Sequence, residues 1–174
     1  MSIERTGLVQ FAGKNVTIIG ADLAVGDQAP EFVAHNNDWE KINVIHSTKG
    51  KVRIIGSLLS LHTSVCDRET RKFNLEAEAL DKDVVVIMLS MDLPFTQKDW
   101  CGAAGMERVM TLSDHVEADF GKKYGVLIKE LRFLRRAIFV VDKKDKIVYV
   151  DYMRVLSDEP DYLQVLKAAG AALK

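Results

Sequence analysis

Cysteine and proline are scarce in this sequence, with two and three in 174 residues. The two cysteines, Cys66 and Cys101, are far apart and form no Cys-x-x-Cys pair, which excludes a disulfide-stapled scaffold. The four histidines, His35, His46, His62 and His115, are too scattered for a local ligand pair, so no metal site is expected. P-loops and Gly-rich dinucleotide fingerprints are missing, and no cofactor is expected. No apolar run approaches the ~20 residues of a membrane span. The opening "MSIERTGLVQ" has no apolar signal-peptide segment, so a cytoplasmic, reducing location is the expectation. A net charge of −1 gives no general attraction to nucleic acid or to an anionic membrane. There is no repeat, low-complexity tract or linker, and the length suits one domain spanning residues 1–174.

What is present is an alternation of strand and helix after an all-β start. "TGLVQFAGKNVTIIG" reads as a hairpin around the turn signal "AGKN", and "VGDQAPEF" as a loop. "KVRIIGSLL" is a short strand. "DKDVVVIMLSMDL" holds a near-continuous apolar run, the mark of a strand buried on both faces. "RRAIFVVDKKDKIVYVDYM" reads as two strands around "DKKDK", the second alternating Ile147, Tyr149 and Asp151 against Val148, Val150 and Tyr152. Four helices are expected. One runs from about Cys66 to Leu80, with Cys66, Phe73, Ala77 and Leu80 on one face. Another follows Pro94 and carries Cys101, and a third spans roughly Glu117 to Tyr124. The last occupies "DEPDYLQVLKAAGAALK", with Asp158 as cap and Pro160 in the first turn. Together these elements predict an α/β sandwich with a mostly parallel or mixed sheet and an antiparallel C-terminal edge.

The chemistry turns on "LLSLHTSVCDRETRKF". Ser64 reads as a helix N-cap with Asp67 as its weak capping-box partner, which sets Cys66 in the first turn. Unpaired N–H groups and the positive end of the helix dipole there favour thiolate over thiol. Arg68 and Arg71 add positive potential, while Asp67 and Glu69 oppose it. On these facts alone Cys66 can still be an inert core residue, half of a structural disulfide, or a nucleophile.

The order of several short motifs narrows the choice. The hairpin with Gly13, Val16 and Thr17 leads into "VGDQAPEF", and "HTSVCDRETRKFN" carries a Thr-x-x-Cys core. "SMDLPF", "FTQKDWCGAAG" around Cys101, "YGV" at Tyr124, "RRAIFVVD" and "EPDY" at Glu159–Tyr162 follow in turn. Over nearly its whole length the chain resembles the bacterial thiol peroxidases, the atypical two-cysteine branch of the peroxiredoxins. That resemblance implies a thioredoxin-like α/β sandwich with a central mixed sheet, flanking helices and an extra N-terminal β-hairpin. It also implies reduction of hydrogen peroxide and organic hydroperoxides, no cofactor, a thioredoxin-like reductant and a homodimer. By the same resemblance Cys66 is the peroxidatic cysteine, Thr63 orients it, and Arg136 stabilises thiolate and peroxide, with Arg135 one register away. Cys101 is then the resolving cysteine, which closes a Cys66–Cys101 disulfide.

The sequence departs from the family pattern in three places. Leu59 stands where a proline is usual, which restores a backbone N–H and frees φ. His62 replaces a common aspartate, and Asn15 replaces the hairpin's usual proline. The first departure opens a second reading, a thioredoxin-like redox sensor or interaction protein with weakened turnover.

Overall fold

The computed structural model describes residues 3–174. Strands β1 (Glu4–Phe11) and β2 (Lys14–Ile19) pair antiparallel as the expected hairpin. Its turn is tighter than "AGKN". Only Ala12 and Gly13 lie outside the strands, both with positive φ, 50° and 76°, the two-residue geometry that matches strand twist. A short strand, β8 (Leu127–Ile128), joins β2 to complete a three-stranded sheet.

The main sheet has seven strands. At its centre β5 (Val52–Ser57), β6 (Val84–Ser90) and β7 (Val109–Ser113) run parallel. On one side come β9 (Ala137–Val141) and β10 (Ile147–Tyr152), on the other β3 (Val33–His35) and β4 (Lys41–Asn43), all antiparallel to their neighbours. The order is β10-β9-β5-β6-β7-β3-β4. Helices α2 (Ser64–Glu78), α3 (Pro94–Ala104) and α5 (Tyr162–Ala172) bury Phe73, Trp100 and Val165 against Ile54, Val86 and Ile138 on one face. On the other face lie α1 (Val44–Ser47) and α4 (Asp119–Lys123), around Phe32, Phe120, Tyr124 and Phe139. Each such fully buried side chain contributes about 1.5–3 kcal/mol. The architecture is the expected α/β sandwich with a mixed sheet and helices on both faces. Among the described residues no helix is long and apolar enough to cross a membrane.

Several local expectations need correction. Thr63, with extended backbone at φ −87° and ψ 141°, is the N-cap of α2, and Ser64 is its first helical residue. That helix ends at Glu78, so Leu80 packs on the same cluster from beyond it. Helix α4 begins only at Asp119, because Ala118 sits in the left-handed region with φ 50°. Asp161, not Asp158, caps α5: its Oδ1 accepts the Gln164 N–H at 3.1 Å, and Pro160 lies before the helix. In β10 a bulge falls between Ile147 and Tyr149 and breaks the simple alternation. Val148 and Tyr149 therefore share one face, while Ile147, Val150 and Tyr152 share the other. Strands β3, β4, β7 and β8 are additions to the sequence reading. Three of them have two or three residues, too few to display a period.

Candidate active site

Cys66 is the third residue of α2 and is fully buried. The first-turn N–H groups around it have no intrahelical acceptor. Its carbonyl accepts from Thr70 Oγ1 at 2.8 Å, and its sulfur takes a hydrogen bond from Arg136 Nη2 at 3.2 Å. Arg136 immediately precedes β9 and is itself buried. Its guanidinium also pairs through Nη1 with Glu69 and reaches the Leu156 carbonyl at 3.4 Å. Arg135 turns to the opposite face of the sheet. There it donates to Gly125 O at 3.0 Å, pairs with Asp22 and lies over the Tyr152 ring at 4.2 Å. The alternation of side chains along a strand separates the two arginines.

Thr63 is exposed at the rim. It makes no side-chain cap; its hydroxyl donates to Ser60 O at 2.9 Å. The Ser60 turn is held in its own right by Asp92, from the "SMDLPF" motif. One carboxylate oxygen of Asp92 takes the Ser60 hydroxyl at 2.7 Å, and the other takes the Leu61 N–H at 2.8 Å. Above Thr63 and Arg136 lies a surface pocket of about 190 Å³ with apolar walls from Phe11, Leu59, Val65 and Leu156. The N-terminal hairpin thus helps to wall the site through Phe11, whose ring lies 5.5 Å from that of Phe133, a neighbour with Leu59 and Leu156 of a small core. His62 is exposed, and its N–H donates to Ser60 Oγ at 3.3 Å.

Cys101 lies half-buried on α3, and both cysteines are free thiols. The Cys101 sulfur contacts Thr111 Oγ1 at 3.2 Å. The two helices are tied by residues adjacent to the cysteines, with Trp100 Nε1 donating to Asp67 Oδ1 at 3.0 Å. Of the four residues expected at the site, Cys66, Thr63 and Arg136 come together, and Cys101 stands apart.

Comparison with known proteins identifies the fold's relatives. The sequence profile of the redoxin family matches residues 24–166. The chain belongs to the redoxin family. A thiol peroxidase from Oceanobacillus iheyensis is 52% identical over 158 residues, covering 91% of this chain and 95% of that protein. Another from Halalkalibacterium halodurans is 47% identical over 165 residues, with 95% and 98% covered. The crystal structure of a peroxiredoxin-like protein from Aquifex aeolicus superposes with a TM-score of 0.85 at 37% identity, covering 97% of each chain. Within its family this redoxin therefore groups with the thiol peroxidases.

Two features of this redoxin's site were not read as such from the sequence, Glu69 and Asp92. Glu69 is buried three residues after Cys66, and its Oε1 has no partner among the described residues. A charged residue on the buried stripe of Cys66, Phe73 and Ala77 was the available signal. Burial pushes its carboxyl up to about 7, against the pull of Arg136. Burial also works against the Arg136 charge, yet Glu69 and Cys66 hold that group above its ordinary value. Because the folded value of Glu69 is raised, its contribution to stability is complete below the ordinary 4.5 and is lost as pH rises through about 7. Glu69→Gln lacks that loss. Its stability relative to the unmodified protein is expected to rise between about pH 5 and about pH 8, by on the order of 3 kcal/mol. Urea unfolding at the two pH values checks this. A constant difference would mean that Glu69 does not titrate in that range.

Leu59 invites a separate test. Leu58 N–H donates to Leu89 O at 2.8 Å, whereas the Leu59 N–H has no partner among the described residues. A proline there removes no hydrogen bond and stiffens the turn toward Thr63. Leu59→Pro is expected to keep its unfolding midpoint and to oxidise Cys66 faster, as measured by stopped flow. A stable variant with an unchanged or slower rate would show that Leu59 does not limit the site.

Proposed function

We propose that this redoxin is a thiol-dependent peroxidase that reduces hydrogen peroxide and organic hydroperoxides at Cys66. The observation that carries the reading is the Arg136 guanidinium, 3.2 Å from the Cys66 sulfur in the first turn of a helix. A thiolate attacks one peroxide oxygen, the O–O bond breaks, and the second oxygen leaves with negative charge. Protonation of that oxygen gives water or an alcohol, and Cys66 becomes a sulfenic acid. Arg136 is already in place to donate to the departing oxygen, and a preorganised donor of this kind is commonly worth about 10²–10³ in rate. Thr63 commits its own proton to Ser60 O, so its remaining lone pairs accept the peroxide O–H and aim it. Glu69 positions Arg136. The apolar walls of the pocket suit the carbon chain of an organic hydroperoxide.

Cys101 then condenses with the sulfenic acid to an intramolecular disulfide, and a thioredoxin-like dithiol restores both thiols by exchange. A cytoplasmic location and a homodimer complete the proposal; the family resemblance supports both. The test is hydroperoxide consumption with thioredoxin, thioredoxin reductase and NADPH, compared with dithiothreitol alone. Sustained thioredoxin-linked turnover is expected. One fast turnover that does not continue would favour the redox-sensor reading instead.

A further inference from the structure

The surroundings of Cys101 carry one more step. Its sulfur lies 3.2 Å from Thr111 Oγ1, and the same oxygen lies 3.2 Å from Asn37 Oδ1. An amide carbonyl oxygen only accepts, so the Thr111 proton goes to Asn37 and its lone pairs face the sulfur. The polar chain therefore holds Cys101 as a thiol that donates to Thr111.

Both anchors are fixed by the fold. Thr111 is buried in β7. His35, the last residue of β3, pairs with Ser113, and the turn just beyond it brings Asn37 to Thr111. The turn that carries Asn37 is itself pinned. Asn36 Oδ1 accepts the N–H groups of Asp38 at 3.0 Å and Glu40 at 2.9 Å, and Trp39 holds a positive φ of 65°. This turn also grips the first half of α3, with Asp38 bonded to Lys98 at 2.6 Å and the Trp39 ring 5.0 Å from Phe95.

The partners of the two sulfurs are rooted well apart. Arg136 precedes β9 and Thr111 lies in β7, with β5 and β6 between them. Three strand spacings come to roughly 14 Å. Each sulfur is thus committed to a partner on a different strand, and the Cys101 sulfur gives up its Thr111 contact when it bonds to Cys66 at about 2.05 Å.

We propose that Thr111 and Asn37 are positioning residues that park Cys101 against β7, so that release of this contact gates closure of the Cys66–Cys101 disulfide. The inference rests on the peroxidase reading above. In the gated step the Cys101 sulfur attacks the sulfenic sulfur of Cys66 and the S–O bond breaks. The departing hydroxyl leaves as water with the Cys101 proton, and no outside oxidant is required. The parking contact thereby sets how long the sulfenic acid survives. It also sets the share that a second peroxide carries on to sulfinic acid.

The test is stopped-flow oxidation of the fully reduced chain by hydrogen peroxide, which separates two phases. Attack on Cys66 is first-order in peroxide and second-order overall; closure is independent of peroxide. Thr111→Val keeps the shape of the side chain and removes the hydroxyl. The first phase is expected to be unchanged and closure to be roughly two- to fivefold faster, the loss of one weak hydrogen bond. The sulfinic share by intact mass falls accordingly. Thr111→Ser, which keeps the hydroxyl, restores closure to the parent rate. Asn37→Ala accelerates closure as well, by freeing the Thr111 hydroxyl from its fixed orientation, and it carries the test if β7 rejects valine. In a Cys66→Ser background, Thr111→Val should also speed alkylation of Cys101, a readout that needs no peroxide chemistry. An intact first phase with unchanged or slower closure in the folded variants overturns the gate alone. No first phase in the unmodified protein overturns the peroxidase reading and the gate with it.

Discussion

Cys66→Ser protein is expected to consume no hydroperoxide above the buffer rate, while Cys101→Ser still performs the first attack. A serine hydroxyl at neutral pH is not the nucleophile that a thiolate is, and Arg136 beside it has no thiolate to stabilise. The Cys101 sulfur lies against Thr111 on β7, whereas Arg136 bonds to the Cys66 sulfur. Loss of Cys101 therefore leaves the attacking geometry alone and removes only the internal partner of the sulfenic acid. In Cys101→Ser, thioredoxin-linked turnover falls and sulfinic acid accumulates with excess peroxide. Intact mass shows a gain of two oxygens on one residue. The two substitutions thus separate attack from resolution. Equal activity of Cys66→Ser and the unmodified protein would remove the peroxidase reading.

Arg136→Met is expected to slow Cys66 oxidation by about 10²–10³, the usual scale for losing one preorganised donor to a departing oxygen. The side chain places a positive charge and an N–H donor beside the sulfur, and the proposed mechanism turns that donor to the leaving oxygen. Its loss also strands Glu69 in the interior, which neutralises by taking up a proton, a response its raised value of about 7 already favours. Some stability is lost as a result, so Arg136→Lys is a useful companion: it keeps a charge but loses the planar fork. Arg135→Met is expected to leave the oxidation rate within a few-fold, because that side chain serves Gly125, Asp22 and the Tyr152 ring on the other face. Stopped-flow rates for the three variants decide the matter. Slower oxidation in Arg135→Met than in Arg136→Met would assign the site to the wrong arginine.

Much of this was legible in the sequence, and the limits have physical reasons. The continuous apolar run of β6 and the Pro-initiated α3 were plain because burial on both faces and a fixed φ leave strong local marks. Arg136 was named from the resemblance with Arg135 one register away, and the structure places Arg136 against Cys66 and Arg135 on the other face. Glu69 was read as a charge opposing the thiolate; only the packed helix shows that it spends its carboxylate on Arg136. Asp92 was visible as part of a motif but not as the brace of the Ser60 turn, because that contact joins residues 32 apart. Strands β3 and β4 escaped because three residues carry no period; β3 takes its identity from β7 beside it and β4 from β3. Capping was misplaced by one residue at α2, where Thr63 is the N-cap, and by three at α5, where Asp161 takes the Gln164 N–H.

The central claim, that Cys66 attacks peroxide and Cys101 resolves it within one chain, meets its most direct test in a single oxidation. One molar equivalent of hydrogen peroxide is added to the fully reduced protein, followed by thiol counting, intact mass and peptide mapping without reduction. The account predicts loss of both free thiols, a mass lower by about 2 Da for the two hydrogens removed, and one linked pair containing Cys66 and Cys101 from the same chain. Persistence of a free Cys101 thiol, or a link mainly between chains, would contradict it.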